Sequence, residues 1–219
     1  MFLSRLILNP LNAAARDDVS NPYELHRAVM RGFPKKLLQD ERVLFRLEPP
    51  DRRINTLGNV LLIQSRYAPD WHVFLEQKGY LLENPAVREI PALHFTAGQI
   101  FRFRLRANPI KRLSASGQRM ALLETEDRLR WLERKGEEAG FILVEDTVYI
   151  RAVKQGFSRA KTAHITEEAP VEQKITVCMV DFDGFLTVTG PDKLAEAVSA
   201  GIGPAKGFGC GLLSLARAI

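Results

Sequence analysis

The chain has 219 residues, 46% of them hydrophobic and 26% charged, a balance that suits one good core or two small ones and excludes a disordered or fibrous chain. No run of about 18 apolar residues occurs, and the opening MFLSRLILNP is too short and too interrupted by Arg5 for a signal peptide, so a cytoplasmic protein without a membrane span is expected. A net charge of +5 and a pI near 9.4 favour a polyanionic partner.

In chain order, MFLSRLILN reads as a strand, and NPYELHRAVMRGF as a helix with Asn21 as cap, Pro22 at the first helical position and Glu24 three residues after the cap. At about 100° per residue, Leu25, Ala28, Val29 and Phe33 form its buried face, and Tyr23, His26 and Met30 lie along one flank. Arg27 and Arg31 continue around the exposed side. VLFRLE and NVLLIQS are two further strands, and a proline-broken stretch through residue 98 leads to QIFRFRLRANPIK. There Phe101, Phe103 and Leu105 alternate with Arg102, Arg104 and Arg106, and Lys111 stands at the strand end. Period two puts the three arginines on one face, either solvated or offered to an anion.

The helix ETEDRLRWLERKGEEAG follows, then a long extended run FILVEDTVYIRAV, a polar loop KQGFSRAKTAHITEEAPVEQ, two strands KITVCMVDFDG and FLTVTG, the helix PDKLAEAVSA and a last strand LLSLARAI. The order βαββ, then β-α-β-β-α-β, predicts an α+β fold. Two tandem ferredoxin-like (RRM-related) domains with antiparallel sheets fit it, divided as residues 1–92 and 93–219, because helices are too few to alternate with every strand.

Chemistry-bearing residues concentrate in three places. Tyr23 and His26 are i, i+3 neighbours on the first helix, where a histidine can transfer a proton at neutral pH and a tyrosine can orient a phosphate; a structural pair is the alternative. The other histidines, His72, His94 and His164, have no evident partner. Arg151, Lys154, Arg159 and Lys161 punctuate IRAVKQGFSRAKT, with a turn expected at Gly156. This is a basic hairpin that either faces water or enters a nucleic-acid groove.

Near the C-terminus, GIGPAKGFGCGLLSLARAI sets Gly201, Gly203, Gly207, Gly209 and Gly211 around Lys206. This is not a Walker P-loop, since Lys206 precedes Gly207 and Phe208 stands where a hydroxyl is needed, and the helix-to-strand context also fails the Rossmann fingerprint. The loop either turns backbone N–H groups toward a phosphate or only joins a helix to a strand. Cys178 and Cys210 form no CxxC or Cys/His cluster, so buried thiols are expected and no zinc site.

The segments GIGPAKGFGCGLLSLA, LRANPIK and MFLSRLILN followed by YELHRAVMRGF resemble the CasE family, the repeat-RNA endoribonucleases of type I-E CRISPR systems. The resemblance implies RAMP-type tandem domains, binding of a CRISPR repeat stem-loop, and metal-independent cutting at the 3′ base of the stem without a cofactor. It also implies retention of the guide RNA in the Cascade complex with its other subunits. His26 falls on the family's catalytic histidine, Tyr23 on its tyrosine, and Arg159 and Lys161 on its groove-entering hairpin. RNA contacts are then expected from Arg27, Arg31, Arg102, Arg104, Lys111, Arg151, Lys154, Arg159, Lys161 and Lys206. A non-catalytic RNA scaffold of the same fold is the alternative. An RRM-type sheet-face binder lacks the required aromatics, because FRFRLRA buries its phenylalanines.

Overall fold

The computed structural model describes residues 1–35, 42–48, 57–112, 117–160 and 172–218, and the side chains of all of these except 154–160 and 172–176. Its first sheet holds β1 (Phe2–Leu8), β2 (Leu44–Leu47), β3 (Asn59–Ser65) and β4 (Ala86–Glu89) in the order β2-β3-β1-β4. Three helices accompany it: α1 (Ala13–Ser20), α2 (Pro22–Met30) and a single turn, α3 (His72–Leu75).

The second sheet holds β5 (Ile100–Ala107), β8 (Phe141–Leu143), β10 (Glu172–Val188) and β11 (Leu213–Arg217) in the order β11-β5-β10-β8. Strand β9 (Tyr149–Ala160) pairs with the first part of β10, while β6 (Ile110–Arg112) and β7 (Arg119–Ala121) make a separate small hairpin. Helices α4 (Thr125–Glu138) and α5 (Pro191–Ala200) complete this half. Every pairing among the described residues is antiparallel.

Both halves are therefore βαββαβ units with the same strand order, the ferredoxin-like fold in tandem. The first half completes its second βαβ within the proline-broken stretch, where no helix was expected; one turn, α3, suffices because Trp71, Phe74 and Tyr80 supply the buried surface. Helix α1 was not expected either. Only Ala15 is buried from it, and Asn12 caps it by accepting from the Ala15 N–H.

Two further expectations are corrected. KITVCMVDFDG and FLTVTG are one strand, β10, because the ladder continues through Gly184, where a Cβ would meet the Thr147 carbonyl at 3.0 Å. The chain does not turn at Gly156, which pairs with Thr176 inside the β9–β10 ladder. Residues 154–160 of the expected polar loop are strand; residues 161–171 lie outside the described residues.

Each half has its own core, one around Leu6, Val29, Phe45, Ile63 and Phe74, the other around Phe103, Leu105, Leu132, Phe141 and Phe182. The sheets meet through polar groups. Arg46, 1% exposed, donates to the Leu212 carbonyl at 2.9 Å, to Ser214 Oγ at 2.8 Å and to Glu48 at 2.7 Å. Gln64 donates to the Val198 carbonyl at 2.7 Å. A buried guanidinium is tolerable only with donors satisfied like this.

Candidate active site

Helix α2 begins as its sequence predicts. The Asn21 side chain accepts from the Tyr23 N–H at 3.0 Å and Pro22 occupies the first turn. Glu24 pairs with Arg27 at 2.9 Å, an exposed contact of small energetic weight. Leu25, Ala28 and Val29 are buried as the periodicity requires, which fixes the rotation of the helix and the direction of its flank.

On that flank His26 is half-buried, its ring stacked on Phe45 with centroids 6.0 Å apart and planes 19° apart. Its Nδ1 is buried with no hydrogen-bond partner among the described residues. Burial lowers the imidazole pKa, because the cation loses hydration and no carboxylate among the described residues compensates. The ring edge faces Gly207, where an added Cβ would stand 3.9 Å from Cε1 and Nε2. His26 also lines a cleft of 780 Å³ whose wall includes Arg27, Met30, Arg31 and Lys35. Arg31 lies over the Phe74 ring at 5.6 Å.

Tyr23 stands at the start of the same helix. With Val153, Ala205 and Phe208 it packs on a small cluster of Val177, Met179 and Cys210, so the start of α2, the base of the β9–β10 hairpin and the glycine-rich loop meet in one place. Cys210 is buried and its thiol pKa is pushed up to about 12, as expected for an inert structural thiol.

The glycine-rich loop is a 3-10 turn, Lys206–Phe208, flanked by left-handed residues Ala205 (φ 64°) and Gly209 (φ 83°). At Gly209 a Cβ would also stand 3.2 Å from Phe45 Cε2, so glycine lets the loop close on the ring that supports His26. The N–H groups of Gly201, Gly209 and Gly211 donate to the Ala197, Lys206 and Arg106 carbonyls. Those three amides hold the loop and are spent, which leaves fewer N–H groups for a phosphate; among the described residues Gly203 and Gly207 are not engaged this way. Lys206 is half-buried without a carboxylate partner among the described residues, and burial, then Arg42 and Lys135, lower its pKa.

The arginine strand differs from expectation. Arg102 is exposed, but Arg104 pairs with Asp183 at 2.7 Å and Glu48 at 2.9 Å, and Arg106 is held by both oxygens of Asp181 at 2.6 and 3.0 Å. Arg104 is therefore an inter-sheet link and not a free phosphate contact. Arg151 shares Asp181 at 2.6 Å and is half-exposed at the hairpin base. Lys111 is exposed on β6. Lys154 and Arg159 sit on β9, across from Cys178 and Gln173, and Lys161 lies outside the described residues. Phe45, Asp181 and Glu48 were missed from sequence; the alternation Asp181-Phe182-Asp183, complementary to the arginine strand, was the available signal.

The model of the family described as "CRISPR associated protein" matches residues 1–217. The chain is 40% identical, over 99% of its length and 100% of the relative's, to the CRISPR-associated endoribonuclease Cse3 of Thermus thermophilus. It is 32% identical to the CRISPR system Cascade subunit CasE of Escherichia coli, covering 99% of both chains. A solved structure of CRISPR endoribonuclease Cse3 bound to 19 nt RNA superposes with a TM-score of 0.82 at 39% identity, covering 99% of this chain and 100% of that one. A chain of this length, fold and likeness belongs to the CasE (Cse3) family of CRISPR-associated proteins.

Proposed function

We propose that the protein is an endoribonuclease of the cytoplasm that binds the stem-loop of CRISPR repeats, cuts at the 3′ base of the stem without a metal ion, and keeps the guide RNA within a Cascade complex. Relatives named as a CRISPR endoribonuclease and as a Cascade subunit, and the RNA-bound Cse3 structure, support the substrate class and the partners. The observation that carries the chemistry is His26, which stands at a cleft rim between Phe45 and Gly207 with a depressed pKa and Lys206 in the adjoining loop.

RNA supplies its own nucleophile. The 2′-hydroxyl loses its proton as its oxygen bonds to the adjacent phosphorus; the bond from phosphorus to the 5′-oxygen breaks, and that oxygen takes up a proton. The products are a 2′,3′-cyclic phosphate and a 5′-hydroxyl. His26 transfers a proton, as base at the 2′-oxygen or acid at the 5′-oxygen, while cations stabilise the charge on the phosphorane. Tyr23 orients the phosphate from the start of α2. Arg27, Arg31, Arg102, Lys111, Arg151 and Lys206 contact the backbone, as do Lys154 and Arg159 on β9, and Lys161. The two units divide at residue 92, between β4 and β5.

The test is incubation of repeat hairpin RNA with the protein in EDTA. Wild-type protein cuts, and His26→Ala loses at least about 10²-fold in rate with affinity nearly intact. Full activity of the variant removes His26 from the chemistry, and binding without cutting by the wild type favours a non-catalytic scaffold.

A further inference from the structure

We propose that the cleft between the β6–β7 hairpin, α4 and the glycine-rich loop is a second phosphate site, holding the single strand that continues downstream of the scissile phosphate. The inference rests on the endoribonuclease reading above. The cleft has a volume of 710 Å³, and among the described residues its walls carry Lys111, Arg112, Arg119, Arg130, Arg134 and Lys135 against one carboxylate, Asp127. On α4 the cations have exposed partners: Arg130 has Glu126 and Asp127 at 3.5 and 3.6 Å, and Arg134 and Lys135 share Glu138. Exposed pairs of this kind contribute little and exchange readily for a better anion.

The β6–β7 wall has no such compensation. Arg112 and Arg119 are directly opposite one another in the ladder, with Lys111 adjacent, and no carboxylate pairs with any of the three among the described residues. Arg112 donates to the Gly117 carbonyl. Like charges directly opposite destabilise a hairpin, and a polyanion laid across them relieves the repulsion. Trp131 lines the cleft but is only 3% exposed, its ring taken up by the core, so the feature recognised is the backbone rather than a stacked base.

The cleft adjoins the catalytic region. Pro204 of the glycine-rich loop lines it, and Lys135 on its wall lies close enough to Lys206 for the two charges to interact. Cations thus run from the loop beside His26, through Lys206, to Lys135 and into the cleft. The stem occupies one side of the scissile phosphate. The downstream strand is bonded to that same phosphate and leaves on the other side, along this track, whereas the strand flanking the 5′ side of the stem has no such tether.

The test uses a repeat hairpin with one 2′-deoxynucleotide at the cut, with and without an oligouridine 3′ extension, and Kd measured against salt concentration on one protein preparation. For wild type, the extension steepens the log–log slope by about 2, three phosphates at about 0.7 each. Arg119→Glu sets a carboxylate opposite Arg112, so its melting temperature stays at or above that of wild type, while the increment falls to about 0.7 because only Lys111 remains free. An extension that adds nothing to wild-type binding overturns the proposal, as does an increment unchanged in Arg119→Glu, or one produced by a 5′ extension instead. These outcomes leave binding of the unextended hairpin, and cutting of an all-ribose hairpin that continues past the cut, in place; a wild-type protein that does neither defeats the endoribonuclease reading and this inference together.

Discussion

At the scale of one residue, the arrangement around His26 is unlike that of a histidine held by a carboxylate. No described acceptor fixes Nδ1, so packing orients the ring: Phe45 beneath it and Gly207 at its edge. Because burial lowers the pKa, kcat/KM for hairpin cleavage should show an ionisation below the ordinary histidine value of about 6.5. The sign for stability follows from the same shift. The unfolded chain binds a proton below about 6.5 that the fold resists, so the contribution of His26 to stability is complete above that pH and is lost as pH falls through the window beneath it. Phe45→Leu should raise the His26 pKa toward 6.5 and lower kcat by up to about 10²-fold with little change in KM, since misplacement of a catalytic group is that costly. An NMR titration of the His26 ring checks the first part, and an unmoved pKa in the variant would remove Phe45 from its positioning role. Of this site, His26 itself was legible from helical spacing, but Phe45 was one apolar residue among many in a strand and carried no mark of its neighbour on α2.

At the scale of elements, legibility followed the strength of local signals. Helix α2 was readable because Asn21, Pro22 and an apolar stripe agree. Helices α1 and α3 were not: both are short, and each buries a single residue of its own span. β10 was divided at Gly184 because glycine usually marks a turn, whereas here it marks a close backbone approach. The glycine-rich loop was recognised as special, yet three of its amides serve the fold rather than a ligand. We therefore expect Gly209→Val, at positive φ and against Phe45, to lower the melting temperature and slow cleavage together. Gly207→Ala, whose Cβ has ordinary room, should leave the melting temperature within about 1–2 °C while slowing cleavage by covering the His26 edge. Equal melting temperatures for Gly209→Val and wild type would contradict the packing role.

At the scale of the molecule, the two βαββαβ units share strand order without sharing a residue repeat, so the duplication was visible only as element order. What joins them was not legible in sequence: of the three arginines on one face of β5, Arg104 and Arg106 are neutralised by Glu48, Asp181 and Asp183, and Arg102 stays exposed. Burial works against the Asp181 carboxylate, but Arg106 and then Arg151 outweigh it and hold its pKa below the usual range. Asp181→Asn should cost about 3 kcal/mol in urea unfolding, because it leaves Arg106 buried without its counter-charge, whereas Glu126→Ala, removing an exposed partner of Arg130, should cost under about 1 kcal/mol. Comparable losses in the two variants would show that the buried pair is no special link. The central claim, RNA cut by its own 2′-hydroxyl with His26 moving the proton, is tested most directly by replacing the single 2′-hydroxyl at the cut with hydrogen. The account predicts that this hairpin binds as tightly as the unmodified one and is not cut, while unmodified RNA yields a 2′,3′-cyclic phosphate; cleavage of the deoxy-substituted hairpin at the same bond would contradict it.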